Sequence, residues 1–110
     1  MISTVLAFAL AGAGMQSDTT RAARDAFNAC LRTYMQHSID THATMDAFTA
    51  AFPQQCTTEE AAYRTAIIQR ESAMRATRAA AEQTATEEIQ DSRTNFHDRF
   101  EMAITPASPH

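Results

Sequence analysis

The chain has 110 residues, a formal charge of −4, two glycines, three prolines and no lysine, its nine basic residues all being arginine. With breakers this scarce and Ala, Glu, Gln, Arg and Met abundant, a turn-rich β fold is excluded and the composition predicts an all-α domain. The acidic balance without any basic block argues against nucleic acid, which demands a positive footprint; lysine-free usage reads as the codon bias of a GC-rich bacterial genome.

Residues 1–13 are expected to be a signal peptide. An apolar run begins at Val5 and closes on Ala11-Gly12-Ala13, an A-x-A cleavage pattern, and polar Gln16-Ser17-Asp18-Thr19-Thr20 follows at once. The run is too short for a stable membrane span, which needs about 20 apolar residues. Residues 14–104 form a single helical domain in this reading, and 105–110, with Pro106 and Pro109, a disordered tail.

Ser17 or Asp18 can cap the first helix of the domain. Ala23, Phe27, Cys30, Leu31 and Tyr34 then fall on one face. The helix is expected to fade near Ile39-Asp40. A short helix over Met45 to Phe52 presents Met45, Phe48 and Phe52, and Pro53 ends it by pushing the preceding residue out of the α region. Pro53-Gln54-Gln55 is the turn that delivers Cys56.

Thr57 with Glu60 three residues on is a capping box, so a helix is predicted from about Thr58. Its stripe holds register through Tyr63, Ile67, Met74, Ala81, Ala85, Ile89, Phe96 and Phe100, to about Ala103. An unbroken rod of that length would span about 69 Å, too long for the rest of the chain to cover. A bend or break near 75–78 is therefore expected, with Thr77 as a new N-cap. The architecture is a small helical bundle or helical hairpin with a long C-terminal helical segment. Alanine-rich seams and few aromatics make a thin core, which a disulfide or self-association into a homo-oligomer would support.

Cys30 and Cys56 are the only cysteines, and an even pair in an exported chain reads as a disulfide. Catalytic dithiols lie closer together, as C-x-x-C. His37 and His42 are five apart, where a helical metal pair wants four. Met35, His37, His42 and Met45 nevertheless cluster, and thioether with imidazole suits copper; the plainer reading makes the methionines core fillers and the histidines solvated. His97 sits on what reads as an exposed face between Arg93 and Glu101. Glu60–Arg64 and Glu71–Arg75 have favourable i, i+4 order, and Glu87, Glu88 and Asp91 form an acidic face. No catalytic triad order, phosphate loop or H-E-x-x-H motif occurs, so neither an enzyme nor a cofactor is expected. The function this supports is a small exported helical protein, periplasmic or secreted, acting by protein–protein contact as an envelope accessory factor. The alternative is a periplasmic copper-type module on Met35, His37, His42 and Met45.

Overall fold

The computed structural model describes residues 2–106, and the side chains of 17–106. Four α-helices follow in order: α1 (Ile2–Asp40), α2 (Met45–Ala51), α3 (Thr57–Ala73) and α4 (Arg78–Ile104), with a 3-10 turn over Phe52–Gln54 between α2 and α3. No strand occurs among the described residues. The long helices α1, α3 and α4 pack mutually, and α2 lies against α4. The chain is thus a helical bundle whose α3 and α4 form a hairpin.

The expected stripes make the core. Phe27 and Leu31 of α1, Tyr63 and Ile67 of α3, and Ala85, Ile89, Phe96 and Phe100 of α4 are buried together with Phe48 and Phe52. The core has two unlike ends. Toward the α3–α4 turn it is built from Ala66, Ala81 and Ala85, small side chains that let helices approach but bury little apolar area each. At the other end Phe48 stacks on Phe100 at 3.9 Å and on Phe52 at 4.7 Å, with Tyr34 against Phe48 and Phe52. These large rings supply the burial that the alanine end lacks.

Several boundaries differ from expectation. Ser17 and Asp18 do not start a helix; α1 runs straight through them, since Met15 and Gln16 before them are good helix formers and Gly12 and Gly14 weaken a helix without removing its backbone hydrogen bonds. The expected leader, 1–13, falls where side chains are not described, and residues 107–110 of the expected tail lie outside the described residues. Phe52 keeps right-handed helical angles (φ −57, ψ −44) although Pro53 follows. Its ring is locked in the aromatic stack, and the backbone tightens into the 3-10 turn instead of leaving the helix. Met74, placed on the core stripe by its spacing, is 65 % exposed, because α3 has already ended at Ala73.

The expected break is present. Thr77 caps α4, its Oγ1 accepting the Ala80 amide at 3.1 Å. The chain reverses just before it through Arg75 at φ 68, where Ala76 N donates to Glu71 O and Arg75 N to Ser72 O. That 6→1 and 5→2 pair is a Schellman cap. The turn after α1 repeats it: His42 has φ 57, Ala43 N donates to Ser38 O, His42 N to Ile39 O, and Thr44 Oγ1 then accepts the Ala47 amide. Thr41-His42-Ala43-Thr44 and Met74-Arg75-Ala76-Thr77 are one turn used twice.

Candidate functional site

Cys30 and Cys56 are disulfide-bonded, with Cα atoms 5.9 Å apart. The bond joins the C-terminal third of α1 to the residue at the N-cap position of α3. Cys56 itself has φ 62 and makes no side-chain cap. The capping box at Thr57 and Glu60 does not form: Thr57 is already the first residue of α3, and Glu60 turns away to Arg93, its Oε1 accepting from Nε at 2.7 Å. A guanidinium partner on a neighbouring helix outcompetes a single backbone amide, as charge-assisted bonds do.

Arg93 is the residue around which the junction is built, and the sequence reading placed it on an open face. It is only 8 % exposed. Besides Glu60, its Nη1 donates to Phe52 O at 3.0 Å and its Nη2 to Gln55 O at 2.7 Å. Its Cζ lies 5.3 Å from the Phe27 ring centre and 5.4 Å from that of Phe52, within cation–π range of both. A buried charge is tolerable only when so satisfied. The signal was present in the spacing: Ile89, Arg93, Phe96 and Phe100 recur at i, i+4, i+7 and i+11, a core stripe with one charged member.

One turn on, the half-buried His97 is hydrogen-bonded through Nε2 to Thr49 Oγ1 of α2 at 2.9 Å and lies beside the Phe48 ring. It is therefore not part of an open face. A cleft of about 280 Å³ runs between α2 with its 3-10 turn and α4, lined by Thr49, Phe52, Pro53, Gln90, Arg93, Thr94 and His97. Arg93 is buried and spends three of its five N–H donors on protein acceptors, so the cleft offers chiefly apolar surface and the His97–Thr49 edge.

The acidic face and the helix-surface pairs are rearranged as well. Glu88 accepts from Arg70 Nη2 at 2.6 Å and from the Tyr63 hydroxyl at 3.3 Å. Burial first, then the Glu88 charge, pushes the Tyr63 phenol above its ordinary value; the bond to Glu88 pushes the Arg70 guanidinium up. Arg64 donates to Thr86 of α4 rather than pairing with Glu60, and Glu71 meets Arg70 at 3.4 Å because Arg75 lies beyond the helix. Glu87 accepts from Gln83.

Of the copper-type candidates, Met35 and Met45 pack against the core, while His37 and His42 are exposed and His42 occupies the left-handed turn position. Two other groups bring ligand-type atoms within 4.8 Å of one another among the described residues: His97, Asp98 and Glu101, and Cys30, Cys56 and Glu59. The sulfurs of the second group are bonded to each other, which removes them as thiolate ligands.

Among the described residues no helix is long and apolar enough to cross a membrane. Compared with protein-family models, with curated proteins and with solved structures, the chain matches none.

Proposed function

We propose that the protein is a small exported, disulfide-stapled helical module that acts by protein–protein contact, as an accessory factor of a bacterial envelope. The observation that carries the reading is the Cys30–Cys56 bond between α1 and the start of α3. Such bonds persist in oxidising compartments and are uncommon where glutathione and thioredoxin keep thiols reduced. The signal-like residues 1–13 support the same compartment. The contact half rests on the cleft beside α2, whose one buried cation spends three of its five donors on Glu60, Phe52 O and Gln55 O and leaves surface suited to packing rather than to binding a charged substrate.

The test is made on protein from the encoding organism, with free thiols alkylated at lysis. The expected product is in the extracytoplasmic fraction, begins near Gly14, and carries no alkyl group on Cys30 or Cys56. A full-length cytosolic product with both cysteines alkylated overturns the export reading. For the contact reading, a photo-crosslinking side chain at Thr94, in the cleft, is expected to give one discrete adduct in intact cells. The same probe at Gln69, an exposed position on α3 away from the cleft, gives none, and equal labelling from both positions overturns it.

A further inference from the structure

His97 and Glu101 are four residues apart in α4 and so share one face of the helix, with Asp98 next to His97. One imidazole nitrogen and one oxygen from each carboxylate lie within 4.8 Å of one another. The nitrogen turned toward Asp98 is Nδ1, 3.8 Å from its Oδ1, too far for a hydrogen bond. A zinc ion bonded to nitrogen and oxygen at about 2.0–2.2 Å holds neighbouring ligand atoms about 3.3–3.6 Å apart. Asp98 and Glu101 are exposed, so small rotations of their side chains close the difference.

Two further observations set this group apart from an ordinary acidic surface. The first is charge. Among the described residues neither Asp98 nor Glu101 is paired with an arginine, whereas Glu60, Glu71, Glu82 and Glu88 each are. The arginines nearby in sequence are turned elsewhere, Arg99 over the Phe96 ring and Arg93 to Glu60. With the imidazole neutral, the group carries two negative charges, which a dication balances. The second is orientation. His97 Nε2 is hydrogen-bonded to Thr49 Oγ1 of α2 at 2.9 Å, and its ring lies beside Phe48. Metal-binding imidazoles give their other ring N–H to such a partner, which fixes the ring and the tautomer. A threonine hydroxyl accepts as readily as it donates. Thr49 therefore serves Nε2 in the tautomer that leaves Nδ1 unprotonated toward the carboxylates.

We propose that His97 Nδ1, Asp98 and Glu101 bind a divalent transition-metal ion of the zinc class, with Thr49 positioning the imidazole. The nitrogen ligand selects such ions over Mg²⁺ and Ca²⁺, which take oxygen. Three protein ligands leave the fourth position of a tetrahedral ion to water. The site rests on neither the export nor the contact reading: of its ligands only His97 lines the cleft beside α2.

The test titrates the untagged, oxidised full chain with Zn²⁺, followed by calorimetry and by the nitrogen chemical shifts of the imidazoles. One equivalent is expected to bind with a Kd below about 100 µM, with Nδ1 of His97 shifted as a metallated nitrogen and Nε2 keeping its proton. Mg²⁺ in about tenfold excess should not displace it. Asp98→Asn and Glu101→Gln should each weaken binding by about tenfold, and His97→Ala should remove saturation. Thr49→Val, which leaves all three ligands in place, should weaken it by about tenfold or more. His37→Ala and His42→Ala, exposed and outside the group, should bind as the parent does. Thermal melting of each metal-free variant separates lost binding from lost fold; because Asp98 and Glu101 are exposed, their variants should melt with the parent. No saturation below about 1 mM, displacement by equimolar Mg²⁺, or metallation at Nε2 would each overturn the site. So would carboxylate variants that bind as the parent does, or binding lost with His37 or His42.

Discussion

At the scale of single residues, the fold turns on groups whose polar atoms are consumed inside the bundle. Arg93 ties α4 to α3 through Glu60 and to the 3-10 turn through Phe52 O and Gln55 O. Arg93→Met fills much of the volume but strands the carboxylate and two carbonyls. Breaking a buried pair from one side costs about 3–5 kcal/mol, and that loss should appear as a lower urea midpoint at unchanged slope; a loss under about 1 kcal/mol would mean water replaces the guanidinium without penalty. Tyr63 makes a prediction in pH. Its phenol donates to Glu88 and is neutral, and burial with the neighbouring charge raises its folded pKa above the unfolded value of about 10. The stabilisation from the neutral form is thus complete below about pH 10 and is lost as pH climbs through the raised folded value. Stability measured across the alkaline range should fall there, and Tyr63→Phe, which cannot ionise, should remove that part of the fall. Neither residue announces its role by type. Arg93 could have been found, since it interrupts an apolar stripe at a core position; the Tyr63–Glu88 bond could not, because it depends on how α3 and α4 are rotated toward each other.

Among the elements, the helices were more legible than the turns between them. Apolar spacing located the buried faces of α1, α3 and α4, and Thr77 marked the break, because a threonine hydroxyl can accept an N3 amide whatever surrounds it. The helix ends hid their signal. A Schellman cap normally announces itself with glycine at the left-handed position, and this chain places His42 and Arg75 there. For the same reason Arg75 could not form the pair with Glu71 that its spacing promised. A residue with a Cβ at such a position costs about 1 kcal/mol relative to glycine. His42→Gly and Arg75→Gly are therefore each expected to stabilise by about 0.5–1 kcal/mol, and to raise the melting temperature by about 2–8 °C. The two should add, because they lie in separate turns joining different helix pairs. Calorimetric melting of both single variants and the double tests this, and a lowered midpoint in either would show that the His or Arg side chain holds its turn by contacts of its own.

For the molecule as a whole, the decisive segment is Phe52 to Cys56, which is fastened at two points to two different helices. Cys56 is bonded to Cys30 of α1, and the carbonyls of Phe52 and Gln55 are held by Arg93 of α4. The cysteine pair could be read from the chain, as an even number in a chain with a signal-like start reads as a disulfide; the second fastening could not, because backbone carbonyls carry no sequence signature. Closing a loop of 26 residues stabilises by about 3.5 kcal/mol in the chain-entropy model. At about 4–8 °C per kcal/mol for a domain of this size, reduction should lower the melting temperature by well over 10 °C. Cys30→Ala and Cys56→Ala should each mimic reduction, and the double variant should cost little more than either one. The two fastenings also make a prediction about coupling. With the disulfide gone, Arg93 still seats the segment; with Arg93 replaced, the disulfide still does. Only the loss of both frees it, and the stacked Phe48 and Phe52 then lose the backbone that positions them over Phe100. Reduction of Arg93→Met should therefore cost more than the sum of the separate losses, by about 0.5–3 kcal/mol, the range found for residues that share one network. Urea unfolding of parent and Arg93→Met, each oxidised and reduced, closes that cycle. Strict additivity within about 0.5 kcal/mol would mean that the bond acts on the unfolded chain alone and that Arg93 holds the segment without reference to it.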